Sequence, residues 1–173
     1  MTLPAPPRAK GRALDFEALY RAARDDVFAY VATLLRDRGA AEDVTAQAFE
    51  RAFRKSKSYD ARRGSERAWL FGIARNAALD ELRKRKRTAQ LDAEPEDTAA
   101  LPEEEADRAL RRFAVRAALA SLDARDRELI ALKFHAGLDN AEIAGVLGIS
   151  PSNAGTRVHR AVQRLREACH APS

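Results

Sequence analysis

The stretch Asp139-Asn140-Ala141-Glu142-Ile143-Ala144-Gly145-Val146-Leu147-Gly148-Ile149-Ser150-Pro151-Ser152-Asn153-Ala154-Gly155-Thr156-Arg157-Val158 reads as two helices joined by a tight turn. Asp139, followed three residues later by Glu142, has the form of a capping box opening a helix over residues 140–147. Gly148-Ile149-Ser150 turns the chain, Ser150 is a good N-cap, and Pro151 suits the first position of the next helix. That helix runs over residues 151–168 and puts Ala154, Val158, Ala161 and Leu165 on one face. Ala144 is small where the two helices cross, and Ile143, Leu147, Ile149, Ala154 and Val158 form the shared core. A short helix, a three-residue turn and a longer basic helix make a helix-turn-helix. With the apolar face inward, Ser152, Asn153, Thr156, Arg157 and Arg160 stand outward. Arginine pairs bidentately with guanine, asparagine with adenine, and hydroxyls reach bases or phosphates. A helical hairpin with a merely solvated basic face is the plainer alternative.

Outward from this motif the chain stays helical. Residues 108–121 form an amphipathic helix through Leu110, Phe113, Ala117 and Leu119. Asp123 N-caps a helix over residues 124–136, with Leu129, Ile130, Leu132 and Phe134 as apolar contacts and Gly137 as its stop. In the N-terminal half, Phe16, Leu19, Tyr20, Ala23, Val27, Tyr30, Val31, Leu34 and Leu35 recur at three- and four-residue steps, the mark of one buried helix face. Arg38-Gly39 ends that helix. A second spans residues 40–57, with Val44, Ala48, Ala52 and Phe53 inward and Asp43, Gln47, Glu50, Arg51 and Arg54 outward. Residues 58–65 are a polar loop. A third helix, residues 66–87, buries Trp69, Leu70, Ile73, Ala77 and Leu82 and ends in Arg83-Lys84-Arg85-Lys86-Arg87. Strand patterns and internal repeats are absent, so the fold class is all-α.

Charge divides the same chain into three. The 173 residues carry 31 Lys and Arg against 26 Asp and Glu. Residues 1–87 hold 20 basic and 12 acidic side chains, residues 88–107 none and 8, and residues 108–173 hold 11 and 6. Two basic blocks, of the kind that meet polyanions, flank an acidic segment. That segment has two prolines and only two large apolar side chains, too few to offset the entropy of ordering it, and reads as a flexible linker. The expected organisation is a small helical domain over residues 12–87, a linker over 88–107 and a second helical domain over 108–170.

Other chemistries find little support. No run of about 18 apolar residues occurs, which argues against membrane insertion, and the first residues lack the apolar core of a secretory signal. One cysteine cannot make an internal disulfide, which points to a reducing cytoplasm. His135, His159 and His170 lack metal-ligand spacing, and Cys169-His170 has no third group to orient a catalytic dyad. No glycine loop that would cradle phosphate is present. The expectation is a protein that is not an enzyme and needs no cofactor or metal.

Three segments carry a family resemblance. Ala41-Glu42-Asp43-Val44-Thr45-Ala46-Gln47-Ala48-Phe49-Glu50-Arg51-Ala52-Phe53-Arg54 resembles the polymerase-binding helix in region 2 of bacterial sigma factors of the extracytoplasmic-function (ECF) group. Ala68-Trp69-Leu70-Phe71-Gly72-Ile73-Ala74-Arg75-Asn76, continuing to Asp80-Glu81-Leu82-Arg83, resembles that group's promoter-melting helix. Residues 122–166, with Ala141-Glu142-Ile143-Ala144 and His159-Arg160-Ala161, resemble region 4. The departures are Ala46 where a glutamine is common, Asp123-Ala124 in place of a proline after Leu122, and Ser152-Asn153 at the place of the family's usual Gly-Thr pair. The −35 preference therefore cannot be copied from a better-known relative.

The resemblance implies two all-α domains, a region 2 bundle of three main helices and a region 4 bundle of four with the helix-turn-helix. It implies a dissociable subunit of RNA polymerase that recognises and opens promoters. Asp43, Gln47, Glu50, Arg51 and Arg54 would face a coiled coil of the polymerase largest subunit. Tyr59, Arg62, Arg63, Phe71, Arg75, Asn76, Arg83 and Lys84 would serve the −10 element, with Phe71 and Asn76 holding a base flipped from the non-template strand. Extruding a base costs a few kcal/mol, recoverable in a snug pocket. Ser152, Asn153, Thr156, Arg157 and Arg160 would read the −35 duplex while region 4 docks on the flap of the second-largest subunit. The implied partners are core RNA polymerase, promoter DNA and, in some members, an anti-sigma factor; the implied place is the nucleoid, through polymerase. For single residues plainer roles compete: Trp69 as core rather than stacking platform, Tyr59 as packing for its loop, and Arg83 to Arg87 as a solvated end favoured by the helix dipole. An autonomous helix-turn-helix regulator is the alternative function.

Overall fold

The computed structural model describes residues 13–89 and 106–170. Among them the secondary structure is helical: α1 (Phe16–Leu35), α2 (Arg38–Lys55), a 3-10 turn (Ser56–Ser58), α3 (Glu66–Ala89), α4 (Ala106–Ser121), α5 (Ala124–Phe134), α6 (Asn140–Leu147) and α7 (Pro151–His170). The all-α expectation holds. Most of the acidic segment, residues 90–105, lies outside the described residues.

The first three helices pack on one another, and α7 packs on α4, α5 and α6. Local signals set most boundaries. Asp15 caps α1 by accepting from the Ala18 amide, and Asp37 caps α2 by accepting from Ala40. The turn between these helices differs from expectation. Arg36, not a glycine, takes the left-handed position at φ 55°, its amide donating to the Ala32 carbonyl. Gly39 already lies inside α2. The Asp37 cap and the ion pair from Arg85 to Asp37 at 2.9 Å hold this turn, so the run of basic residues ending α3 is partly structural.

The C-terminal helices follow their sequence signals closely. Both hydrogen bonds of the Asp139–Glu142 capping box form, and Gly148 closes α6 at φ 68°. Gly137 ends the turn after α5 at φ 64°, a conformation that suits glycine. Several apolar assignments fail. On α4, Leu110 and Phe113 are 67% and 72% exposed, because only the C-terminal end of this helix, from Ala118 to Leu122, reaches the core. Phe134, at the last turn of α5, is also exposed, and so is Phe53 of α2, expected inward with Val44, Ala48 and Ala52.

The two groups of helices do not stand apart. α1 packs against α5 and α3 against α6, and one continuous apolar cluster joins Val27, Tyr30 and Phe71 to Leu129, Ile130, Leu132 and Leu138. The relative placement of the two blocks, which charge and periodicity leave open, is thus a packed interface.

Candidate nucleic-acid interface

The helix-turn-helix is built as its residues require. Ala154, Val158 and Ala161 are buried under α5 and α6, with Ile143 and Ala144 facing them. A side chain at Gly155 would meet the Asn140 amide at 3.2 Å, so the bare glycine lets α7 cross close to the start of α6. Ser150 accepts from the Asn153 amide at 3.2 Å and starts α7. Ser152, Asn153, Thr156, Arg157 and Arg160 are all exposed on the first turns of α7, with the Thr156 hydroxyl donating to the Ser152 carbonyl at 3.1 Å. The five form one polar, cationic face at the N-terminal end of a helix, the place from which such helices reach base edges in a major groove.

On α2, Asp43, Gln47, Glu50 and Arg54 line one solvent-facing side, with Arg54 and Glu50 paired at 2.6 Å. Arg51 turns the other way and meets Asp80 of α3 at 3.1 Å. The exposed ring of Phe53 lies beside this face, edge-on to Phe16 at 5.2 Å.

The residues assigned to the −10 element are not all in one place. Tyr59 and Trp69 lie together, ring centroids 5.5 Å apart, and the Tyr59 hydroxyl donates to the Gly64 carbonyl at 3.0 Å. Tyr59 therefore does pack its own loop, while Trp69, expected in the core, is half-buried at the loop's edge. Arg62 donates to both carboxylate oxygens of Asp60, and this pairing holds the Asp60 carboxyl below its ordinary pKa. The Ser65 hydroxyl caps α3 by accepting from the Ala68 amide at 3.1 Å. Tyr59, Asp60, Arg62, Arg63, Trp69 and the exposed Asn76 border a cleft whose opposite wall is α6, through Asp139, Ala141, Glu142, Gly145 and Val146.

Phe71 needs correction. It is 0% exposed and edge-on to Tyr30 at 5.4 Å, with the Arg67 guanidinium over its ring. It is core, not a pocket wall. Periodicity assigns one apolar stripe to α3, Leu70-Ile73-Ala77; packing against both α1 and α2 buries a second, Phe71-Ala74-Ala78. Arg75 is committed as well, donating to Glu128 of α5 at 2.6 Å. Arg83 pairs with Asp80 on the helix surface, and Lys84 is exposed.

Sequence reasoning missed the residues that join the halves. Glu128 accepts from Arg75 and from the Tyr30 hydroxyl at 3.1 Å. Burial, followed by the Glu128 charge, pushes the Tyr30 phenol well above its ordinary pKa, which keeps it a donor. Arg67 donates to Asp26 and to the carbonyls of His135 and Ala136, and Ser65 bonds Glu142. No signal along the chain marks these pairs. Among the described residues no group of three His, Cys, Asp or Glu side chains is placed to hold a metal ion, and no helix is long and apolar enough to cross a membrane.

These two helical groups coincide with two known families: residues 19–88 match Sigma-70 region 2 and residues 112–165 match Sigma-70 region 4. The chain is 33% identical over 167 residues to the ECF RNA polymerase sigma factor SigL of Mycobacterium tuberculosis, covering 92% of this chain and 93% of that one. It is 35% identical over 164 residues to SigC of the same species, covering 91% and 84%. The sigma factor RpoE of Bartonella quintana, solved in complex with the anti-sigma factor NepR, superposes with a TM-score of 0.75 at 26% identity, over 92% of this chain and 99% of that one. CnrH, solved with the cytosolic domain of CnrY, shares the fold at a TM-score of 0.65 and 23% identity, over 91% and 89%. The chain belongs to the ECF RNA polymerase sigma factors.

Proposed function

We propose that this chain directs core RNA polymerase to its promoters and starts their melting, as a specificity subunit and not a catalyst. The observation that carries this reading is one chain bearing two separate faces: the exposed Ser152-to-Arg160 surface of α7 and the solvent-facing Asp43, Gln47, Glu50 and Arg54 of α2. The first has the residue types and helix-terminal position for duplex readout at the −35 element. The second is an ordered, charged helix side suited to a coiled coil of the largest polymerase subunit. Residues 12–87 and 108–170 act as its region 2 and region 4, with residues 88–107 as the connection that lets polymerase set their spacing.

At the −10 element, the cleft edge formed by Tyr59, Trp69 and Asn76 takes the unstacked base, a role that passes from the buried Phe71 to its neighbour Trp69. Aromatic rings offer a stacking platform and the Asn76 amide both a donor and an acceptor. Arg63, Arg83 and Lys84 supply phosphate contacts. Region 4 docks on the flap of the second-largest subunit. The likeness to a sigma factor solved with its inhibitor supports an anti-sigma factor as a further partner, and the cytoplasm, where polymerase works, as the compartment. Run-off transcription with purified core polymerase on promoters selected by the holoenzyme tests the reading. Promoter-dependent RNA that needs this chain is the expected result. Tight, selective duplex binding by the chain alone, with no effect on transcript start, would favour the autonomous helix-turn-helix regulator.

A further inference from the structure

Between α1 and α2, where α2 carries Glu42 and Ala46, lies a groove of about 570 Å³. Its walls are apolar: Phe28 from α1, Phe49 from α2, and the Tyr20 ring set edge-on to Phe49 at 4.8 Å. Its rim is charged but already paired, Arg24 with Asp25 and Arg38 with Glu42, each at 3.2 Å. Such a lining suits a neutral occupant, because a charged one would have to break a pair or sit unpaired among rings.

Two residues of the groove stand out. Thr45 is 8% exposed, and its hydroxyl has no hydrogen-bond partner. A threonine inside a helix often turns its hydroxyl to the carbonyl four residues back, as Thr33 does to Ala29 at 2.8 Å. Thr45 does not, and the two χ1 wells open to a helical threonine let it turn to an acceptor placed in the groove. Ala46, exposed beside it, stands where sigma factors of this group commonly carry glutamine. A glutamine would extend over the opening, whereas the Ala46 methyl leaves it clear.

Position says which kind of partner can use it. Ala46 is one helical turn from Asp43 and from Glu50, so the groove opens flush with the side of α2 read as polymerase-binding. A core enzyme shared among sigma factors has to fit those that carry glutamine here. An opening made by this chain's own departure therefore serves a partner of this chain's own, and whatever fills it covers the polymerase side.

We propose that the groove is the recognition socket for a dedicated protein inhibitor. A helix of that partner lies across α1 and α2 and inserts one long neutral side chain, apolar in its stem and ending in an acceptor that meets Thr45. Resting on the promoter reading above, this makes Thr45 and Ala46 the residues that distinguish this chain's inhibitor from those of its relatives.

Two full-length variants test the socket. Ala46→Gln closes it with the family's common residue at an exposed position, and Thr45→Val keeps its shape while removing the unpartnered hydroxyl. Neither should lower the urea midpoint. Each is assayed by run-off transcription with purified core polymerase and by transcript level from the same promoter in uninduced host cells, at equal abundance of the chain. With purified core, both should match the wild type within about twofold, as for a change outside the contact. In cells, Ala46→Gln should raise transcription about tenfold, the weakening that an overfilled socket brings. Thr45→Val should raise it about threefold, for one lost hydrogen bond. A rise for Ala46→Gln alone would keep the socket and overturn the Thr45 contact. A parallel fall in run-off transcription would give the groove to polymerase and overturn the inhibitor assignment. Unchanged transcription in cells by folded, core-active variants would overturn it as well. Failure of the wild type itself to give promoter-dependent RNA would overturn the promoter reading and the inference resting on it, a result that neither variant produces.

Discussion

Asp126 on α5 and Arg164 on α7 meet side chain to side chain at 2.5 Å, the carboxylate buried and the guanidinium largely in solvent. The pair anchors the middle of α7 to α5 and so sets the angle at which its N-terminal face projects. The two ends are unequal. Removing Arg164 leaves a buried carboxylate without its charged partner, whereas removing Asp126 leaves an arginine that water can solvate. Arg164→Ala is therefore expected to lower the urea midpoint more than Asp126→Ala, with Arg164→Lys recovering part of the loss. The reverse order would show that the pair contributes through the acid's place in the first turn of α5.

Phe71 and Asn76, five residues apart on α3, should separate cleanly when mutated. Phe71 is fully enclosed, and a buried phenylalanine cut to alanine costs about 3–5 kcal/mol. Phe71→Ala should thus appear as a lower denaturation midpoint with all activities reduced together. Asn76 is exposed, so Asn76→Ala should leave stability within about 0.5 kcal/mol and spare polymerase binding. Its defect should be in opening, read from a fluorescent base analogue in the −10 element.

Arg157 and Arg160 lie on the same exposed face of α7 but at different depths along it. Arg157→Ala should weaken binding by about 1–3 kcal/mol at one −35 position, as expected for loss of a bidentate base contact. Arg160→Ala should weaken all duplexes more evenly and flatten the salt dependence, as for a lost phosphate contact. Titrations against −35 point variants discriminate; equal losses on every variant for Arg157→Ala would remove its base-reading role.

His135, at the end of α5, is half-buried, and burial lowers its pKa from the ordinary 6.5 while Asp26 opposes that shift. The folded imidazole resists a proton that the unfolded chain accepts. Stability is therefore level above about pH 6.5 and declines as pH falls below it, until the folded form also protonates. Because the His135 carbonyl accepts from Arg67, the added charge arises beside the clamp that joins the two blocks. Denaturation midpoints between pH 7.5 and 5 should fall for the wild type and flatten in His135→Asn. An equal slope in both would assign the loss to carboxylates elsewhere.

Much of the molecule follows from signals that act within one or two helical turns. The Asp139–Glu142 box, the Gly148 turn and Ser150-Pro151 place α6 and α7 and turn the Ser152-to-Arg160 face outward, since caps and periodicity are properties of a few neighbouring residues. The same logic puts Asp43, Gln47, Glu50 and Arg54 on one side of α2. It fails where an element is covered from more than one direction. Periodicity cannot tell that α3 buries two stripes, so Phe71 and Trp69 exchange their expected places. Nor can it tell that α4 meets the core only at its end, leaving Leu110 and Phe113 bare.

The polar contacts that tie the helices of the two blocks together join residues far apart in the chain. Arg67 and Asp26 are separated by 41 positions, Arg75 and Glu128 by 53, Ser65 and Glu142 by 77, and Tyr30 and Glu128 by 98. Such pairs have no period and no local motif; each residue alone looks like any charged or hydroxyl group on an amphipathic helix. Which of them meet was decided by how the apolar faces of α1 and α3, of α1 and α5, and of α3 and α6 packed together. The ion pairs then formed between whatever charges that packing brought within reach.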